Sequence, residues 1–218
     1  MKKRKNIITV AIDSPAAAGA GTQAKLIAKH YNLLQLDTGR IYRLIGKLKL
    51  DNPKKFNYSL IKRKMNNLKI KNLHNKSLLS DKVATSASII AKDKKIRSIV
   101  RKFQQKCAYS PPMKYAGSVL DGRDIITVQV KDAMFKFFIT ASLKVRSERR
   151  FKEYKNLKKK ITFKEVVKSL RNRDKSDRQR RYGALKKTQD SILINTTKLS
   201  RKRCFEKIKA IMDKKLNN

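Results

Sequence analysis

The stretch IITVAIDSPAAAGAG, Ile7 to Gly21, decides how the chain folds. Ile7, Ile8, Val10 and Ile12 make a short apolar segment of the kind that lies in a sheet covered on both faces. Asp13 ends it. From Ser14 to Gly21 every residue except Pro15 is small, and after Thr22 the apolar positions Ala24, Leu26, Ile27 and Ala28 follow helical spacing. Strand, small-residue loop and helix in this order can hold phosphate. Small residues let backbone N–H groups face phosphate oxygens, and the new helix adds the positive end of its dipole.

The regular phosphate loop reads G-x-x-x-x-G-K-[ST]. Laid on Ser14 to Thr22, that pattern puts Ser14 at the first glycine, Gly19 at the second and Ala20 at the lysine. Gly21 and Thr22 complete it. Two readings fit the stretch alone: a nucleotide loop without its lysine, or a tight strand-to-helix turn whose small residues serve packing.

A chain of 218 residues that is 40% apolar can bury one good core with a small satellite. It has no run of about 18 apolar residues, so no membrane helix is expected. The N-terminal MKKRKN before the apolar run imitates a secretion signal, but Asp13 and Pro15 break the run, and a strand is the better reading. Cys107 and Cys204 stand far apart, which suits reduced cytosolic thiols and not a zinc site. Lys+Arg number 57 against 16 Asp+Glu, a net charge of +41. A nucleic-acid binder is one explanation. Lysines spread along the whole chain, alongside abundant Asn, fit a compositional bias better, so no specific nucleic-acid partner is expected.

Further along, Asn32 to Leu36 reads as a second strand running into Asp37-Thr38-Gly39, a turn facing a ligand crevice or a turn with a helix cap. Tyr42 and Arg43 fall just inside the next helix. Residues 50–83 are rich in Lys and Asn. There Leu68 to Lys71 alternates like a strand, and Ser77-Leu78-Leu79 is its expected partner. Ala84 to Lys106 has helical periodicity with a break near Asp93. Ser118-Val119-Leu120 makes a third strand ended by Asp121-Gly122-Arg123-Asp124, an acidic strand end resembling the Walker B arrangement. Phe135 to Thr140 is a fourth strand, and a basic helix runs from Ser142 to about Asn156. Arg171 to Arg181 is a charged run with the spacing R-D-x-x-D-x-x-R. It is expected in a mobile helix–loop–helix with few apolar anchors. Asp190 to Thr196 is a fifth strand, and Arg201 to Leu216 a closing helix. The alternation implies an α/β fold with a parallel sheet.

In order, the segments AIDSPAAAGAGT, LDTGRIYR, ASIIA, IRSIVRKFQQ, DGRDIITV, FFITAS, RDKSDRQR and SILINTT resemble the bacterial cytidylate kinases over nearly the whole chain. The resemblance implies a P-loop kinase fold: a five-stranded parallel sheet flanked by helices, a monophosphate-binding insert and an arginine-rich lid. It divides one kinase domain, 1–218, into a core of 1–48, 101–145 and 184–218, an insert of about 49–100 and a lid of about 146–183. It further implies transfer of the γ-phosphoryl group of ATP to CMP or dCMP, with Mg²⁺, in a cytoplasmic monomer. By that resemblance Asp13, Ser14, Pro15, Ala16, Ala17, Ala18, Gly19, Ala20, Gly21, Thr22 and Asp121 serve ATP and Mg²⁺, Asp13 and Asp121 by orienting waters on the ion. Arg43 and Arg123 hold the CMP phosphate. Ser88, Arg97 and Asp124 read cytosine, and Thr38 supplies a base- or phosphate-side hydroxyl. Arg173 and Arg180 cover the transferring group, while Asp177 contacts the sugar.

Ala20, Ser14, Ile126 in place of a glycine after D-G-R-D, and the short insert depart from the family's pattern. They leave one alternative: a catalytically weakened nucleotide-binding or nucleic-acid-associated relative. In an active enzyme another cation must replace the loop lysine. A lid arginine, Arg173, Arg178, Arg180 or Arg181, is expected to do so. Lys25, about one turn beyond Ala20, is expected to point away.

Overall fold

The computed structural model describes residues 7–217, so the MKKRKN stretch that imitates a secretion signal lies outside the described residues. The opening apolar run forms β1 (Ile8–Asp13). With β2 (Leu33–Asp37), β3 (Gly117–Gly122), β4 (Phe135–Thr140) and β5 (Ile192–Asn195) it builds a parallel sheet ordered β2-β3-β1-β4-β5. β1 is central, which is why it is apolar on both faces. Ala11, Leu36 and Leu120 face one layer, which includes α2 (Thr38–Asp51) and α5 (Lys94–Tyr109). Val10, Ile12, Val119 and Phe137 face the other, which includes α1 (Ala20–His30) and the closing helix Arg201–Leu216.

Strand register builds the site. Asp13 pairs with Gly122 and Asp37 with Asp121, so the carboxyl ends of the three strands share one rim. A rim of this kind, beside the central strand of an open α/β sheet, is where ligands bind.

The insert departs from expectation. Leu68–Lys71 and Ser77–Leu79 are not strands. After α3 (Tyr58–Asn66), residues Ile70–His74 and Lys76–Leu79 make 3₁₀ turns that lead into α4 (Asp81–Ile90). Two strands alone are marginal in water. Local bonds are available instead: the Asn72 side chain accepts from Lys69 N–H and that of Asn75 from Ser77 N–H. Leu68, Leu73 and Leu78 are buried and anchor the segment. The break near Asp93 is real, with Asp93 capping α5 through Ile96 N–H.

Asp37-Thr38-Gly39 is a helix start: Asp37 caps α2 through Arg40 N–H, and the helix begins at Thr38. The basic helix α6 (Leu143–Asn156) is followed by α7 (Phe163–Gln179), whose last turns carry the R-D-x-x-D-x-x-R run up to the cap at Arg180. Val166 and Leu170 of α7 pack against Ala16 of the loop after β1, so the helix that carries the charged run has apolar anchors. The closing helix, α8, occupies the expected residues Arg201–Leu216.

Candidate active site

A cavity of about 390 Å³ opens along the sheet rim. At one end lie Ser14, Pro15, Ala17, Ala18, Gly19, Ala20, Gly21 and Thr22. At the other lie Tyr42, Ser88, Arg97 and Asp124. Thr38, Arg43, Asp121 and Arg123 line it between them, and Arg173, Asp177 and Arg180 border it from the lid. Of the site residues read from the sequence, only Asp13 and Ala16 do not line it.

The loop leaves β1 at Ser14, whose N–H donates to Gly122 O. Gly19 has φ of 97°, a left-handed geometry that glycine takes without strain, and it caps α1. Ala17 has φ of 61°, which costs an L-residue about 1–2 kcal/mol. Arginines of α6 hold the loop from behind. Arg146 donates to Ala16 O and grips Asp174 of α7 with both terminal nitrogens, at 3.0 and 2.6 Å. Arg149 reaches Ala18 O and Thr196, whose hydroxyl also donates to Ala18 O. The sequence reading missed both arginines. Their i, i+3 spacing on one helix face was the available signal.

Asp13 has another task than the expected one at the ion. It is fully buried, and its two oxygens accept from Ile125 N–H and Ile126 N–H at 2.8 and 2.9 Å. It thereby fixes the π-helical turn Ile125–Gln129 that follows Asp124, and Ile126, where the family has glycine, packs into the core. Burial, partly offset by those two bonds, pushes the Asp13 carboxyl up to about 7. The folded pKa exceeds the unfolded value near 4, so the folded state binds more protons between those limits. Stability from this group is present at low pH and is lost as pH rises from about 4 to about 7, by about 4 kcal/mol in full. Asp13→Asn should flatten that part of the pH profile. Urea midpoints of the two proteins at pH 5 and 8 check this.

The Oδ1 atom of Asp121 is also buried, and it has no hydrogen-bond partner. Burial and then the neighbouring Asp37 raise its pKa, while Arg123, Gln35 and Lys25 act the other way. Thr38 donates its hydroxyl to Asp121 O at 2.8 Å, tying the start of α2 to the end of β3. Lys25 lines the cavity, contrary to expectation. Helical side chains lean toward the N-terminus of their helix, which returns Lys25 to the loop.

Two charge clusters divide the remainder. Asp177 receives Arg123 Nε at 2.7 Å, with Arg180 Nη1 at 3.6 Å and Arg173 Nε at 3.9 Å. Burial alone would raise the Asp177 pKa, but the arginines outweigh it and hold the group below the usual carboxylate range. Desolvation, then the Arg123 charge, lowers Arg173 to about 10, still protonated at neutral pH. In the second cluster Arg97 and Gln129 both donate to Asp124 Oδ2, and Arg97 also donates to Ala91 O. Gly183, at φ of 62°, lies against this pair: a Cβ there would stand 2.1 Å from Arg97 Nη2. Arg43, whose pKa burial lowers, donates to Leu78 O and so joins the cavity to the insert.

A parallel 2-3-1-4-5 sheet whose central strand feeds a small-residue loop into an arginine-lined crevice defines the P-loop kinase class. A crystal structure of an uncharacterized protein from Eubacterium ventriosum shares the fold, with a TM-score of 0.54 and 17% identity over 94% of this chain and 98% of that one. Within the class the chain belongs to the cytidylate kinase family, whose model matches residues 10–214. Relatives described as cytidylate kinase include one from Clostridium botulinum strain Hall, 34% identical over 95% of this chain and 98% of its own length. Others are from Thermosipho melanesiensis, 35% identical over 94% and 97%, and Azorhizobium caulinodans, 35% identical over 94% and 98%.

Proposed function

We propose that the protein transfers the γ-phosphoryl group of ATP to CMP or dCMP, giving ADP and CDP or dCDP. One observation carries this reading: a single cavity joins the phosphate loop to the buried Arg97–Asp124 pair in a chain of the cytidylate kinase family. A CMP phosphate oxygen attacks the γ phosphorus. The bond to the β,γ-bridging oxygen breaks, and its electron pair stays on ADP. The acceptor is already anionic, so the protein's work is alignment and charge neutralisation.

Arg43 and Arg123 hold the CMP phosphate. Both bonds made to Asp124 fall on Oδ2, which leaves Oδ1 to accept from the cytosine amino group. Ser88 and Arg97 flank it, and the Thr38 hydroxyl stands between base and phosphate. Arg173 and Arg180 cover the transferring group, and Asp177 exchanges its arginines for the sugar. Residues 14–22 carry the ATP phosphates.

Asp121 Oδ1, buried and unpartnered on a carboxylate whose Oδ2 lies against Gly21, is a hard oxygen suited to the hydration shell of Mg²⁺. Such an ion, if held there, would neutralise charge on the reacting oxygens. In this reading residues 49–100 move as the insert and 146–183 as the lid on the core of 1–48, 101–145 and 184–218. The enzyme acts as a cytoplasmic monomer. No helix of the described residues is long and apolar enough to cross a membrane.

A purified-protein assay with CMP, dCMP and UMP tests the reading. ATP- and Mg²⁺-dependent turnover with CMP preferred over UMP is expected. No turnover of CMP would return the weakened, non-catalytic alternative. The net charge of +41 predicts general nucleic-acid binding that weakens steeply with salt. A gel-shift series should lose it at physiological salt, and salt-resistant binding to one sequence would contradict this.

A further inference from the structure

The loop lacks the lysine that ordinarily bridges the terminal phosphates of the nucleotide, and Ala20 offers only a methyl group there. Any cation that replaces it must reach the loop and have no other task in the proposed reaction. The arginines of the cavity are committed, Arg43 and Arg123 to the CMP phosphate and Arg173 and Arg180 to the transferring group. Arg123, Arg173 and Arg180 gather on Asp177, Arg97 holds Asp124, Arg43 holds Leu78 O and Arg150 holds Glu153. The charged run's other arginines, Arg171, Arg178 and Arg181, are exposed and do not line the cavity.

Lys25 remains. It is exposed, lines the cavity, and forms no ion pair or hydrogen bond among those of the described residues. It lies four residues beyond Gly21, on the same helical face. That face is turned to the reaction centre, because a Cβ on Gly21 would stand 3.6 Å from Asp121 Oδ2. The Lys25 stem leans back toward the loop, and its charge is felt at Asp121. Lys92, also in the cavity, adjoins Ala91, whose carbonyl holds Arg97 at the base end.

We infer that Lys25 supplies the cation missing at Ala20, its ammonium contacting the β- and γ-phosphate oxygens of ATP. This assignment rests on the kinase reading above. As the bond from the γ phosphorus to the bridging oxygen breaks, negative charge grows on the ADP oxygen, and Lys25 is the group that meets it. The chain has moved the charge one turn along α1, where a long flexible stem reaches the same place.

The test compares the unmutated protein with Lys25→Met, Lys25→Arg, Arg173→Ala, Ala20→Lys and the doubles that add Ala20→Lys to Lys25→Met or Arg173→Ala. Turnover of CMP is measured alongside calorimetric titration of ATP and of adenosine. Lys25→Met should lower kcat by about 10²-fold, weaken ATP and leave adenosine binding and KM for CMP unchanged. Lys25→Arg should retain most of the rate, and Ala20→Lys should restore it in the Lys25→Met background. Melting temperature should not move, since the side chain is exposed. Unaltered turnover in Lys25→Met would overturn the assignment while leaving the kinase reading intact. So would rescue by Ala20→Lys of Arg173→Ala but not of Lys25→Met. If the unmutated protein does not turn over CMP, the kinase reading falls, and the titration alone decides Lys25: weaker ATP binding in Lys25→Met upholds it, unchanged binding rejects it.

Discussion

Asp124→Ala is expected to collapse the preference of kcat/KM for CMP over UMP by about 10²-fold. The reason is the state of the carboxylate in the fold. Asp124 is 4% exposed, and Arg97, itself 7% exposed, is held against its Oδ2. A cytosine amino group can donate to the remaining oxygen. Uracil presents a carbonyl there, which would face a buried carboxylate with no proton between them. Buried polar groups left unpaired are what give strong discrimination against an analogue. Truncation also frees the Arg97 guanidinium, which can then donate to the uracil carbonyl, so UMP should gain while CMP loses. Asp124→Asn separates discrimination from general damage: an amide keeps the shape, and its NH₂ can donate to uracil. Both variants should show a changed CMP/UMP ratio with KM for ATP unmoved. A ratio unchanged in both would remove Asp124 from base recognition.

Arg123→Ala should cost about 10²–10³ in kcat/KM for CMP. Arg123 follows the last residue of β3, so its guanidinium is positioned by the sheet, and Nε already holds Asp177 of α7 at 2.7 Å. It is thus the side chain through which the acceptor site and the lid meet. A phosphate taking the place of Asp177 would meet a fork positioned in advance, and it would release Arg173 and Arg180 from the same carboxylate. Arg123→Lys keeps the charge but not the planar pair of donors, and should recover only part of the loss. Asp177→Asn should act differently. It leaves the three arginines without their common anion, so the free enzyme should bind inorganic phosphate more tightly while KM for CMP rises through the lost sugar contact. Steady-state kinetics with CMP varied, plus phosphate inhibition constants, distinguish the two variants. Equal kcat/KM for Arg123→Ala and the unmutated protein would refute the placement.

The sheet and its order of elements were legible in the chain. The run from Ile7 to Ile12 is apolar at every position but Thr9, which only a central strand covered on both faces requires. Asp93 and the boundaries of α8 were equally local, since capping side chains and helical period act within a few residues. Where local preference was weak, the chain alone misled: Leu68 to Lys71 alternates like a strand that Ser77–Leu79 would pair with, yet the backbone turns because Asn72 and Asn75 bond it locally and Leu73 and Leu78 are buried beneath it.

The resemblance to the cytidylate kinases marked most of the cavity, from Ser14 through Arg180. It did not reveal what each group does to its neighbours. Asp13 reads as a strand-end acid like Asp121, but burial and two backbone N–H groups bind it to the turn after Asp124, while Asp121 keeps an unpartnered oxygen. Arg146 and Arg149 look like one more basic helix face until α6 is laid behind the loop, where they bond its carbonyls. Lys25 looks remote from Ala20 along the chain, and only the course of α1 past Asp121 turns it to the cavity. Strand period and capping are properties of neighbouring residues and are written in the sequence. Pairing of charges across 28 positions, as between Arg146 and Asp174, depends on which surfaces the packed core brings together, and the tertiary structure alone decides it.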